Sequence, residues 1–337
     1  HYAKLLSFEG RCSEAATHLL AQIRHGVFLA DELYLLGIPD ELSVRDYHLR
    51  GRVERESPDT PLSQLAYARI LVADHKLTTA EPIVRRIVDR YPHLPLAQAL
   101  LGKILVEGQR VDESPHWHEN LPSEVANSPE VWFVRGLWAR QTDQPEAAVR
   151  CLLETLRTVP NHVEANYQLS QQFQKLGDVE NAEFFSERSL LLSQLGYVVN
   201  DLRGEPNLRL MQQAVDAFEL LGRHWEAVGW CELAGQFGGE AWAPQRLANN
   251  RRAACRDAGQ VAAYADPVSR FSIEDYPLPT WEASKASAGP TDTQSDSDFV
   301  RFENEADESG LKFQYFNSMD QKVGLEHIFQ TTGGGIA

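Results

Sequence analysis

Only 2 methionines and 4 cysteines occur among the 337 residues. Cys12, Cys151, Cys231 and Cys255 lie far apart with no Cys-x-x-Cys spacing, which excludes a thiolate zinc site or a disulfide framework as the organising device. Single buried thiols are the expectation. Uninterrupted apolar runs of about 18 residues are also missing, so no helical membrane span is expected. Positive charge is in deficit: 32 Lys and Arg against 48 Asp and Glu leave a formal charge of −16. That balance argues against a surface that holds nucleic-acid phosphates or anionic lipid by counterion release.

Catalytic and cofactor signatures are missing in turn. His116-Trp117-His118-Glu119 is the only local histidine cluster, and one His-x-His pair supplies too few ligands for a metal site. Gly333-Gly334-Gly335 lacks the Lys-Ser/Thr of a phosphate loop. Asp292, Asp296 and Asp298 lack the glycine and distal glutamate of a calcium loop, and read as solvated charges. With no Gly-x-Ser-x-Gly elbow and no supported triad, no enzyme activity and no cofactor within this chain are expected.

What is present is a repeat. Between Pro129 and Leu195 one pattern is written twice at an offset of 34 residues. Extended backwards, units start at 61, 95, 129 and 163. Their eighth positions are Ala68, Gly102, Gly136 and Ser170, and their twentieth are Ala80, Ser114, Ala148 and Ala182. All are small, as needed where two helices cross closely. Leu71, Leu105 and Phe173 at the eleventh position fill the flanking space, with Ala139 the exception, and Pro92 and Pro160 near the unit ends stop the second helix.

These residues resemble tetratricopeptide (TPR) repeats, over residues 61–196 in register. The resemblance implies an all-α, TPR-type helical-hairpin solenoid wound as a right-handed superhelix. The unit at 95–128 departs from the pattern, because Pro115 and Pro122 interrupt its second helix. Residues 1–60 read as degenerate repeats entered partway through a longer array. Residues 197–265 read as an insertion followed by a further hairpin and capping helix, the pattern restarting at Met211, Ala214, Phe218, Gly222 and Ala227. The aromatic stretch Trp225 to Trp242 is read as packing for that cap.

Residues 266–298 have the Pro, Ser, Thr and Asp composition of a linker, disordered or surface-bound. Tyr276-Pro277-Leu278-Pro279-Thr280-Trp281 is its apolar exception, suited to docking in extended form. Residues 299–337 alternate like strands and end in Gly-Gly-Gly-Ile-Ala. Phe302, Ala306, Gly310, Phe313, Asn317 and that terminus resemble the opening of the FG-GAP/VCBS β-propeller module of the ASPIC/UnbV-associated (CRTAC1) family. The resemblance implies calcium in loops that would follow Ala337, and an extracytoplasmic location.

In TPR arrays, the resemblance implies, the first helix of each hairpin lines a concave groove. The corresponding candidates are Phe133, Leu137, Arg140, Gln141, Tyr167, Gln171, Gln174 and Lys175. Aromatic anchors beside amides and cations suit a protein or peptide ligand. The chaperone-tail clamp of some TPR proteins is not supported, because its positions carry Phe133, Leu137 and Gln168. Three functions follow as expectations: a non-catalytic interaction scaffold; a spacer for a calcium-binding propeller protein; and autoinhibition, with the chain's own linker (266–298) lying in the groove.

Overall fold

A computed structural model describes residues 12–37, 60–110, 112–255 and 264–281, together with Ala3 and Leu6. The expectations for 41–56, for the linker beyond 281 and for the propeller-like stretch 299–337 fall outside the described residues. The described residues belong to one unit, His1–Ser284. They form helices α1 (Cys12–Arg24), α2 (Ala30–Gly37), α3 (Pro61–Ala73), α4 (Leu77–Arg90), α5 (Pro95–Glu107), α6 (Glu113–Glu119) and α7 (Pro129–Gln141). There follow α8 (Pro145–Thr158), α9 (Val163–Lys175), α10 (Val179–Asp201), α11 (Leu208–Leu220), α12 (His224–Gln236) and α13 (Ala243–Ala254).

Local chemistry sets where the hairpins begin. Proline leads α3, α5 and α7, where its missing N–H has no partner to lose and its fixed φ already suits a helix. Ahead of these prolines, Thr60 and Ser128 accept the backbone N–H of Ser63 and Val131. His162 caps α9 through Nδ1, which accepts the Ala165 N–H at 3.1 Å. Such caps each stabilise a helix by about 1 kcal/mol.

Each first helix then ends in the same turn. His75, Gln109, Asp143, Gly177 and Gly222 all adopt positive φ, between 56° and 79°. The next N–H reaches back five residues: Lys76 to Leu71, Arg110 to Leu105, Gln144 to Ala139, Asp178 to Phe173 and Arg223 to Phe218, at 2.8 to 2.9 Å. This left-handed cap satisfies end carbonyls that would otherwise lack donors and reverses the chain into the second helix.

Packing between helices depends on the small residues. A Cβ on Gly102 would lie 2.4 Å from the ring of Trp117, so the indole occupies the space a larger residue would need. That indole fills the interior left by α6, which has only 7 residues; its Nε1 donates to the Gln98 carbonyl at 3.0 Å. Ala68, Ala80, Ala148 and Ser114 are fully buried at the crossings. The result is a TPR-type helical-hairpin solenoid: α3/α4, α5/α6, α7/α8, α9/α10 and α11/α12 pack in sequence, and α13 packs on α12.

Two segments depart from the linear reading. The stretch from 197 is no insertion at first: α10 simply continues to Asp201. Helices α1 and α2 pack on α12 and α10, at the far end of the array from the repeats that follow them in sequence. Leu19, Ile23, Leu33 and Leu36 share one core with Leu195, Val199, Phe218 and Trp230. Tyr34 donates its hydroxyl to the Leu202 carbonyl at 2.9 Å, and Arg223 donates to the Leu36 carbonyl at 2.6 Å. Trp225 and Trp230 therefore hold this N-terminal pair as well as the cap, with Arg24 over the Trp225 ring and Tyr34 against Trp230.

Candidate functional site

The first-helix face divides its eight candidate residues into two groups. Arg140, Gln141, Gln171, Gln174 and Lys175 are exposed, as is Tyr167, at 52 %. Phe133 and Leu137 are buried, at 5 % and 2 %, and do not form exposed anchors. The reason is the way three consecutive units meet. Lys103 of α5 lies 5.8 Å from the Phe133 ring and bonds Glu164 of α9 at 3.3 Å, closing over the ring. The His162 ring packs against Phe133 at 4.5 Å. Position within one unit gave no sign of this cover, because it comes from the units on either side.

Exposure resumes beyond that bridge. Lys175 is ion-paired with Asp143 of the preceding turn. At the end of the array, Arg246 of α13 is paired with Asp216 and Glu219 of α11, and Asn250 donates to Glu219. Tyr167, Gln171 and Gln174 are exposed on α9, and Arg140 is exposed on α7.

Other rings of the same hairpins are covered. Residues 264–281, read from composition as linker, pack as a strap on residues of both helices of the α7/α8 and α9/α10 hairpins and on the α7–α8 turn. Phe271 stacks on Phe173 and Phe185, Tyr276 meets Phe173 edge-on, and Tyr264 stacks on Phe184. Val268 and Ile273 are buried in the main core. The strap does not occupy the groove positions, so the reading in which the linker lies in its own groove is corrected for residues 264–281.

Two arginines, Arg188 and Arg150, fasten this strap by its carbonyls. Arg188 of α10 is fully buried, and its guanidinium donates to the carbonyls of Tyr264 and Pro160 and to the side-chain oxygens of Asn161 and Asn166. Burial lowers its pKa to about 10, followed by the nearby charge of Arg223, and it stays protonated near neutrality. Arg150 of α8 donates to the carbonyls of Ile273 and Tyr276 at 3.1 and 3.2 Å. Three strap carbonyls, of Tyr264, Ile273 and Tyr276, are thereby held through main chain, which Pro-rich composition does not reveal.

The strap ends in an aromatic slot. The Trp281 ring stacks on His118 at 4.0 Å and on Trp138 at 5.2 Å, with Trp117 at 6.4 Å. Gln144 accepts the N–H and hydroxyl of Thr280 through Oε1 and donates Nε2 to its carbonyl at 3.0 Å. His118 is therefore a packing residue; Arg135 donates Nε to its Nδ1 at 3.4 Å, which leaves the ring proton on Nε2. Desolvation first, and the Arg135 charge second, push its pKa down to about 4. His116 instead faces Asn120. Among the described residues no three His, Cys, Asp or Glu groups gather as a metal site, and no helix is long and apolar enough to cross a membrane. Burial pushes the Cys151 and Cys231 thiols up to about 12, which leaves them protonated and unreactive.

The chain matches no protein-family model and no curated protein. Among solved structures it is similar to a chain titled MamA MSR-1 C2, at 15 % identity over 49 % of this chain and 97 % of that one, with a TM-score of 0.30. It is also similar to PilF of Pseudomonas aeruginosa, at 16 % identity over 65 % of this chain and 98 % of that one, with a TM-score of 0.36. Likeness at this level carries no argument about what the chain does.

Proposed function

We propose that this chain is a non-catalytic scaffold that binds a protein partner as a peptide segment on its first-helix face. The observation that carries this reading is the asymmetry of cover. Residues 12–37 pack on the second helices α10 and α12, and residues 264–281 cover Trp138, Phe173 and Phe185 of the central hairpins, while Tyr167 stands 52 % exposed on a first helix, with Gln171, Gln174 and Arg140 also exposed on first helices. A half-exposed ring provides contact area at little cost in side-chain entropy, and amides can pair with the N–H and C=O groups of a bound backbone.

Peptides selected from a display library on the unaltered chain provide the test. Against a Tyr167→Ala, Arg140→Ala double variant, the selected peptides should bind at least about tenfold more weakly, as expected for loss of an interface anchor, with the thermal transition unchanged. Equal affinity for both proteins would sink the assignment, and so would loss of the folded transition in the variant.

A further inference from the structure

The strap has two parts with different attachments. Its root, residues 264–276, is built into the fold: Val268 and Ile273 are buried, Phe271 lies in an aromatic stack, and Arg188 and Arg150 hold three of its carbonyls. Its tip, residues 277–281, is different. Pro277, Leu278 and Thr280 are exposed, Leu278 at 57 %. What fixes the tip is the Gln144 amide on Thr280, the Trp138 Nε1 bond to the same carbonyl at 3.4 Å, and the Trp281 ring in its slot.

The receiving groups also have contacts of their own within the repeats. Trp117 is held by its bond to Gln98, and His118 by Arg135. Gln144 follows the left-handed turn residue Asp143 and has its own N–H bonded to Ala139. The slot is therefore preorganised. The Gln144 amide pairs with both the N–H and the C=O of one residue, as a neighbouring antiparallel β-strand would, and two flat rings accept one indole.

We propose that this slot is a second peptide-binding site, distinct from the first-helix face, that takes an extended segment of a partner protein carrying tryptophan after a small hydroxyl residue. The tip is its resident occupant and must leave before a partner enters. Departure uncovers the faces of Trp138 and His118 while the root stays anchored. A tethered occupant competes at high effective concentration, so entry of an outside segment is suppressed while the tip is bound.

The test uses the full chain with Trp281→Ala and a fluorescent peptide of residues 275–283 (Asp-Tyr-Pro-Leu-Pro-Thr-Trp-Glu-Ala). The peptide should bind this variant one to one, and at least about tenfold more weakly to the unaltered chain, whose own tip competes. A peptide with alanine in place of tryptophan should not bind, and adding Gln144→Ala to the variant should weaken binding about tenfold or more. Absence of saturable binding to the variant overturns the proposal, as does binding indifferent to the tryptophan or to Gln144. Loss of the variant's thermal transition overturns it too, since tip and root would then be inseparable. If the unaltered chain dimerises in sedimentation and Trp281→Ala abolishes that, the occupant is a second copy and the heterologous partner is refuted. Unchanged peptide selection at Tyr167 in the same variant keeps this test separate from the first-helix reading.

Discussion

The two faces of the array are made from the same hairpins but end differently. On the first-helix side, the ring at Tyr167 is left in solvent, with polar side chains exposed on the same helix. Elsewhere on the same hairpins, the rings of Trp138 and Phe173 on first helices and of Phe185 and Trp230 on second helices are covered by segments drawn from both flanks of the repeats. Burial of apolar surface favours such cover at roughly 25 cal/mol per Å². A face left open in spite of that offers a partner a surface with no resident segment to displace.

Substitutions should separate the faces by size of effect. Trp138→Ala removes a ring that floors the Trp281 slot and is 1 % exposed; a loss of about 3–5 kcal/mol is expected in denaturant unfolding. Gly229→Val would place Cβ 2.4 Å from Leu33 Cδ2, where the N-terminal pair rests on α12. A cost of about 1–3 kcal/mol is expected, with residues 12–37 becoming open to protease while peptide binding at Tyr167 is retained. Retained protection would count against the observed docking.

Acid should act on the covered face next. The folded-state pKa of His118 lies at about 4, below the ordinary 6.5, so the unfolded or released state binds the proton first. Stability from the neutral ring is complete above about 6.5 and is lost as pH falls from there toward about 4. Protonation would also end its acceptance of the Arg135 N–H. Tryptophan fluorescence should therefore report release of Trp281 across that range in the unaltered chain and no such step in Trp281→Ala. Smaller still, Gln109→Gly relieves a positive φ of 56° in a non-glycine residue and should stabilise by about 0.5–1 kcal/mol. Tyr167→Ala, on the open face, should change stability by no more than about 0.5 kcal/mol. A larger cost would mean that its ring is structural after all.

The hairpin register was legible because close packing leaves a visible trace: Gly102 and Ala148 are small where a neighbour needs their space. The recurrent left-handed turn was less visible, since three of its five positions carry His75, Gln109 and Asp143 instead of glycine. Docking of α1 and α2 left no periodic signal. Leu33 and Gly229 meet across nearly the whole array, and one sequence does not record such pairings. Proline and acidic residues in 266–281 pointed to a linker, although Phe271, Tyr276 and Trp281 supply the rings that dock it. Of the groove residues, Tyr167, Gln171, Gln174 and Arg140 fall where first-helix periodicity puts them in solvent, whereas Phe133 is covered by Lys103 and Glu164 from two other units.

The strap also alters how the molecule shares load. A stack of hairpins in which each touches only its neighbours behaves as a one-dimensional chain, and its ends can fray independently of the middle. Residues 264–281 join α10, α8 and the Trp117–His118 turn of helix by contacts that skip along that chain. Pulling out one hairpin therefore disturbs three, and the central units are fastened into a single cooperative block.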